Sequence, residues 1–219
     1  MKINDYILTE IKPFTLSNTI KDAQDFCKYI SSAYILIVEN NRYLGCFLKD
    51  DIMIIEKSQE KLASLQYLLQ YFHAYIDDSY LELLRVFADN DTNIIPILDK
   101  KQDYIGYYEL GDVLAIFTNS PFFYDNSELL IIEKPKTTFT MSEITQIVEA
   151  NNSKLLGCFI SLETEKSIQV TLKVITNELN ELIQTLRRYE YHVISKHPDD
   201  EYLEELKNRS EYLQKYLNM

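Results

Sequence analysis

The sequence predicts a mixed α/β chain in two parts: a duplicated α/β unit, then a strand–helix–strand–strand–helix–strand segment and a terminal helix. Three observations carry this. Residues 19–52 and 79–113 repeat with a near-constant offset. The hydrophobic period changes after Pro121. The chain has 219 residues, 46% of them apolar, enough to bury one large core or two to three smaller ones.

The repeat is read residue by residue. Phe26 and Phe87 are 61 apart, as are Tyr43 and Tyr104, Gly45 and Gly106, and Asp51 and Asp112. Ile35 with Ile95 and Ile37 with Ile97 are 60 apart, so one residue is lost before the apolar run and regained in the turn after it. Two of only four glycines share one repeat position. Each unit opens on an amphipathic helix, with Ile20, Ala23, Phe26, Cys27 and Ile30 or Leu83, Leu84, Phe87 and Ala88 at helical spacing. A strand follows at 34–38 or 94–98, then a polar turn and a second strand at 43–48 or 104–108. The glycine in that second strand marks a close approach of another backbone. Asp50-Asp51 and Gly111-Asp112 start the closing helices, where acids complement the helix dipole. Between the units, 59–72 reads as a helix and 73–76 as a lead strand.

Past Pro121, strands are expected at 129–133, 155–162, 168–174 and 191–195, with helices at 141–150 and 179–189. Thr140 or Ser142 is placed to cap the first helix. The order βαββαβ is the ferredoxin-like split βαβ. Residues 199–217 read as a last helix, with acids in its first turn and Leu203, Leu206, Ser210, Leu213 and Leu217 at 3-4-3-4 spacing. That stripe packs on its own domain or forms a self-association seam.

The pattern helix, h-P-h-h-D, turn, h-h-G-h-h-x-x-x-D resembles the cystathionine-β-synthase (CBS) domain. Ile95-Pro96-Ile97-Leu98-Asp99 with Tyr104-Ile105-Gly106 carries it in unit two, and Leu36-Ile37-Val38-Glu39 with Tyr43-Leu44-Gly45 in unit one. The resemblance covers about residues 1–119 and implies a tandem pair, or Bateman module. The segment 127–197 resembles, by element order, the regulatory ACT domain, and the combined layout is similar to AcuB-type acetoin-utilisation proteins. The expected domains are CBS unit one at 1–60, CBS unit two at 61–120, an ACT-like domain at 127–197 and the C-terminal helix at 198–219.

The resemblance implies a ligand, AMP, ADP, ATP or S-adenosylmethionine, and no resident cofactor. Adenosine-binding CBS domains carry G-h-h-[ST]-x-x-D, whose hydroxyl and aspartate contact the ribose or phosphate. Here Gly45…Asp51 has Leu48 at the hydroxyl position, and Gly106…Asp112 has Glu109. Leucine donates no hydrogen bond, and a carboxylate repels phosphate by about 1 kcal/mol or more at an effective dielectric near 20. Asp51 and Asp112 remain able to accept ribose hydroxyls, or simply to cap their helices. The expected ligand contacts are Tyr34, Leu36, Asp51, Asn93, Ile94, Pro96 and Asp112. Unit one, with neutral Leu48 and adjacent Lys49, is the half expected to tolerate phosphate. The ACT-like loop 134–140 lacks the glycine usual in amino-acid-binding members, which favours a pairing role.

The charge balance, 22 basic against 34 acidic residues, gives −12 and disfavours nucleic acid and anionic membranes. Three scattered cysteines suit reduced thiols, and no apolar run approaches a membrane span. A cytoplasmic protein is expected. The histidines are His73, His192 and His197, in no H-x-x-x-H or H-E-x-x-H, and no G-x-S-x-G occurs. A nucleophile–base pair of Cys158 with His192 on neighbouring strands can be drawn. A non-catalytic regulatory protein is expected, a homodimer with a metabolite or an unidentified protein as partner. The competing reading is an interaction protein with an empty CBS cleft and ACT-driven pairing.

Overall fold

A computed structural model describes residues 3–123 and 126–195. The chain divides into two units, Met1–Thr118 and Asn119–Met219.

The first unit contains the repeat. Helix α1 (Ile20–Cys27) and helix α3 (Tyr80–Asp89) start the two copies. Both begin with a capping box. The Asp22 N–H donates to Thr19 Oγ1 at 3.1 Å and the Thr19 N–H to Asp22 Oδ2 at 3.1 Å. Ser79 and Glu82 repeat the pair at 3.3 and 2.7 Å. Such caps satisfy amide groups that the first helical turn leaves unpaired. Strands β1 (Tyr34–Glu39) and β2 (Arg42–Leu48) form an antiparallel hairpin, closed by Asn40 and Asn41 at positive φ. Short helix α2 (Lys49–Met53) follows. In the second copy, β3 (Ala74–Tyr75) runs parallel to β4 (Ile94–Leu98), which pairs antiparallel with β5 (Tyr104–Glu109) before α4 (Leu110–Thr118).

Strands β1 and β4 read as continuous apolar runs because both their faces are buried. Ile35 and Ile37 pack under α1, and Ile95 and Ile97 under α3. Tyr34, Leu36 and Val38 turn the other way and meet Ile94, Leu98, Phe72 and Tyr107 in a core shared by both copies.

The copies also exchange lead segments. Leu8, ahead of copy one, pairs with Tyr107 of copy two through N–H to O distances of 2.9 and 3.0 Å. Gln70, ahead of copy two, pairs with Cys46 of copy one at 2.9 Å in both directions. This explains the repeated glycine. A Cβ on Gly45 would sit 2.7 Å from the Gln70 carbonyl oxygen, and one on Gly106 2.5 Å from that of Leu8. It also corrects the helix expected over 59–72. A 3-10 helix spans Leu62–Leu68, burying Leu62 and Leu65, and the chain then extends so that Gln70 can reach Cys46. Ile30 lies beyond the end of α1.

The second unit holds β6 (Glu128–Pro135), α5 (Met141–Ala150), β7 (Lys154–Glu163), β8 (Ser167–Ile175), α6 (Leu179–Arg188) and β9 (His192–Val193). The sheet order is β7-β8-β6-β9, every neighbour antiparallel, with both helices packed on one face over Leu130, Ile132, Val170 and Leu172. Thr140 precedes α5 but makes no side-chain capping bond. The helix expected over 199–217 lies outside the described residues.

A buried ion pair ties this unit together. Lys134, 5% exposed, donates to Glu143 Oε2 at 2.6 Å, and the Tyr191 hydroxyl donates to the same oxygen at 2.7 Å. The Lys134 ammonium also sits 4.5 Å from the Tyr191 ring centre. The Lys134 hydrogen bond holds the Glu143 carboxyl below its usual range, against desolvation and with help from Tyr191.

Two stability predictions follow from these contacts. Gly106→Ala should cost about 1–3 kcal/mol through the Leu8 clash, whereas Gly111→Ala, with open space around it, should gain up to about 1 kcal/mol; urea titrations of both variants check this. Lys134→Met should cost about 3 kcal/mol by stranding Glu143, while Lys136→Ala, which breaks an exposed pair with Glu163, should cost under about 1 kcal/mol. Because the folded Glu143 pKa is depressed, its contribution is present above the ordinary value of 4.5 and is lost as pH falls through the lowered one. Acid titrations should therefore be shallower for Lys134→Met than for the wild type.

Candidate functional site

Asp51 is the third residue of α2 and Asp112 the third of α4. Each helix is moored by its first amide to the residue just before the other strand of its hairpin. The Lys49 N–H donates to the Ala33 carbonyl at 2.9 Å, and the Leu110 N–H to the Asn93 carbonyl at 3.0 Å. Both aspartates are half-buried. Neither accepts a hydrogen bond from a described residue, so neither caps its helix. They are two matched carboxylates with free acceptor capacity, as recognition of a hydroxyl requires.

The walls are more committed than the sequence suggests. Tyr34, Leu36 and Ile94 come together, but in the shared core, 5%, 1% and 1% exposed. The Tyr34 ring meets Phe72 edge-on at 5.1 Å, and its hydroxyl donates to Gln70 Oε1 at 3.1 Å. What β1 and β4 can present to a ligand is therefore backbone, and part of that is taken. The Ser32 hydroxyl receives the Tyr34 N–H at 3.1 Å and donates to the Tyr34 carbonyl at 2.7 Å. Thr92 does the same for Ile94, at 3.2 and 2.7 Å. Further along β1, Phe14 takes the Leu36 carbonyl and the Val38 N–H, both at 2.8 Å. Strand alternation puts the Leu36 N–H on that same outer edge. The equivalent position in copy two is Pro96, buried opposite Tyr107, which has no N–H.

Asn93 bridges the copies. Its Oδ1 accepts from the Ala33 N–H at 2.9 Å, and its Nδ2 donates to the Ser31 carbonyl at 3.0 Å. Ala33, its repeat equivalent, cannot return the contact. Lys49 donates to the Ile30 carbonyl at 2.8 Å, which leaves it two further N–H donors. Leu48 packs half-buried against the shared core. The Ser32/Thr92 clips were open to detection, being hydroxyls at the 60-residue offset. The Asn93 bridge carries no such signal.

The Cys158–His192 pair is not formed. The two residues lie on β7 and β9, the outer strands on opposite edges of the sheet, about 14 Å apart across three strand spacings. Burial pushes the Cys158 thiol up, and the Cys46 thiol up to about 12, so neither is a ready thiolate. Among the described residues, no cluster of three or more His, Cys, Asp or Glu could hold a metal, and no helix is long and apolar enough to cross a membrane.

The repeated helix–hairpin–helix order, the exchanged lead segments and the paired aspartates fit one architecture. Residues 3–118 have the fold of a tandem CBS pair. No family model matches the chain, and no curated protein matches it. Solved structures are similar to about half of it. A CBS domain pair/ACT domain protein from Thermotoga maritima is 14% identical, covering 53% of this chain and 96% of that one, with a TM-score of 0.47. The CBS pair domain of a Mg2+ transporter from Shewanella oneidensis is 22% identical, covering 53% and 69%, with a TM-score of 0.47. The cytosolic domain of a Mg2+ channel in complex with ATP is 18% identical, covering 52% and 48%, with a TM-score of 0.46.

Proposed function

We propose that the chain is a non-catalytic, cytoplasmic regulatory protein whose CBS pair takes up an adenine nucleotide or S-adenosylmethionine and signals through contacts between two copies. The observation that carries this is the half-buried Asp51 carboxylate, which accepts no hydrogen bond from a described residue. Copy one also keeps a backbone donor at Leu36, a neutral Leu48 and the Lys49 ammonium, which gives one bond to the Ile30 carbonyl. Copy two offers Asp112 with Pro96 and Glu109, so it suits a nucleoside or stays empty. The β7 edge pairs only with β8 among the described strands, and such an edge is a ready template for a second copy.

A second reading has its own support. The Ser32 and Thr92 clips and the Asn93 bridge fill polar groups that a base would otherwise use. They favour an interaction protein with an unoccupied cleft and pairing through the second, ACT-like unit.

Calorimetry with AMP, ADP, ATP and S-adenosylmethionine on wild type, Asp51→Ala and Asp112→Ala separates the readings. Loss of binding confined to Asp51→Ala is expected, with a thermal shift equivalent to about 2.7 kcal/mol at a hundredfold excess over Kd. Binding that survives Asp51→Ala and vanishes in Asp112→Ala would move the site to copy two. No binding of any of the four ligands favours the interaction reading. Light scattering at micromolar concentration should give about twice the 25.8 kDa chain mass; a strict monomer would refute the pairing.

A further inference from the structure

The two copies are not closed alike at their lead segments. Copy one is tied at Leu8, which pairs with Tyr107, and at Phe14, which pairs in parallel with Ile37. Copy two is tied at the equivalent points, Gln70 with Cys46 and Ala74 with Ile97. The ties are six residues apart in copy one, Leu8 to Phe14, and four in copy two, Gln70 to Ala74. The extra length is taken up by a bend at Ile11, with Glu10 and Lys12 exposed on either side of it. At the second tie copy one has a half-buried Phe14 where copy two has Ala74, 1% exposed. The helices differ in step: Phe87 of α3 is 3% exposed, whereas its repeat equivalent on α1, Phe26, is only half-buried. A groove of about 360 Å3 opens here, lined by Glu10, Lys12, Pro13, Phe14, Asn18 and Phe26.

The lining is apolar on one side and charged on the other. Phe14 and Phe26 meet edge-on, ring centres 5.2 Å apart at 62°, and Pro13 extends their wall. A further flat ring laid there gains the contacts that aromatic pairs favour. Asn18 Oδ1 accepts from the Thr15 N–H at 2.8 Å and from the Thr15 hydroxyl at 2.9 Å. This fixes the amide and leaves its Nδ2 with no hydrogen bond to a described residue. Lys12 and Glu10 join no ion pair among the described residues. Glu10 faces the buried Tyr107 hydroxyl, which occupies one of the roughly four acceptor positions of a carboxylate. A ligand that answers every group needs a ring, an anion for Lys12 and Asn18, and a cation for Glu10. We propose that the groove binds a free aromatic α-amino acid, its ring on Phe14 and Phe26, its carboxylate at Lys12 and Asn18 and its ammonium at Glu10. The size agrees, since small-molecule pockets run from about 300 to 1,000 Å3. Neither Asp51 nor Asp112 lines the groove, so the assignment does not rest on the nucleotide reading.

The chain contains no tryptophan, so indole compounds report their own binding by fluorescence anisotropy. L-tryptophan should show a saturable rise as protein is added. Lys12→Ala should weaken L-tryptophan and indole-3-propionate, which carry the carboxylate, about tenfold and leave tryptamine unchanged. Glu10→Gln should weaken L-tryptophan and tryptamine, which carry the ammonium, by about the same factor and leave indole-3-propionate unchanged. N-acetyl-L-tryptophanamide, with the ring and neither charge, should bind more weakly than any of the three. Absence of saturable L-tryptophan binding would overturn the proposal. Equal binding of N-acetyl-L-tryptophanamide and L-tryptophan would overturn it as well, by reducing the groove to an apolar surface. Displacement of L-tryptophan by ATP would do the same, by making the groove part of the nucleotide cleft.

Discussion

The first half of the molecule depends on an exchange of backbone. The segment before each copy pairs with the hairpin of the other, Leu8 with Tyr107 and Gln70 with Cys46. Neither copy completes its own second strand. The exchange needs two chains within hydrogen-bond distance on a face where a side chain would normally stand, and this fixes glycine at 45 and 106. Gly45 also takes a φ of +140°, a conformation few other residues adopt. Because the two lead segments cross, the copies cannot separate without breaking these four backbone hydrogen bonds and a further one from the Tyr104 N–H to the Asn41 carbonyl at 2.8 Å, and opening the core of Tyr34, Leu36, Ile94 and Tyr107.

That linkage has consequences for any cleft. Asp51 and Asp112 are held by helices whose first amides hang on Ala33 and Asn93, and those two residues are joined across the copies by the Asn93 side chain. Hydrogen bonds thus connect α2 through Ala33 to the start of β4, and α4 through Asn93 to the start of β1. The route is short and made of hydrogen bonds under 3.1 Å.

Legibility in the sequence followed the range of the interactions. The duplication was visible because each copy folds by its own helical and strand periods, and glycine has few reasons to recur at a matched site. The βαββαβ order was visible for the same reason. The 3-10 segment at Leu62–Leu68 was not, because Leu62, Leu65 and Leu68 fit a helix as well as a 3-10 turn, and the decision comes from Cys46 drawing Gln70 into an extended strand. Lys134 opens the loop expected at 134–140, yet it lies in β6 and is buried by partners nine and fifty-seven residues away, Glu143 and Tyr191. The aspartates were legible by their motif. The commitments of Tyr34 and Asn93 were not, since their partners Gln70, Ala33 and Ser31 carry no local mark.

The two copies differ where a ligand would discriminate them. Leu36 faces Pro96 across the repeat, Leu48 faces Glu109, and Lys49 faces Leu110. Each change removes from copy two either a donor or a cation, or adds an anion. Glu109 and Asp112 stand three residues apart at one strand end and helix start. A phosphate entering there meets two carboxylates, in a chain already at −12. In copy one the first turn of α2 also holds two carboxylates, Asp50 and Asp51, but Lys49 stands beside them with its ammonium anchored on the Ile30 carbonyl, where copy two has Leu110. On the proposed reading the duplicated fold carries two unlike sites on one scaffold, separated by a backbone donor at Leu36 against Pro96 and by the side chains at 48/109 and 49/110.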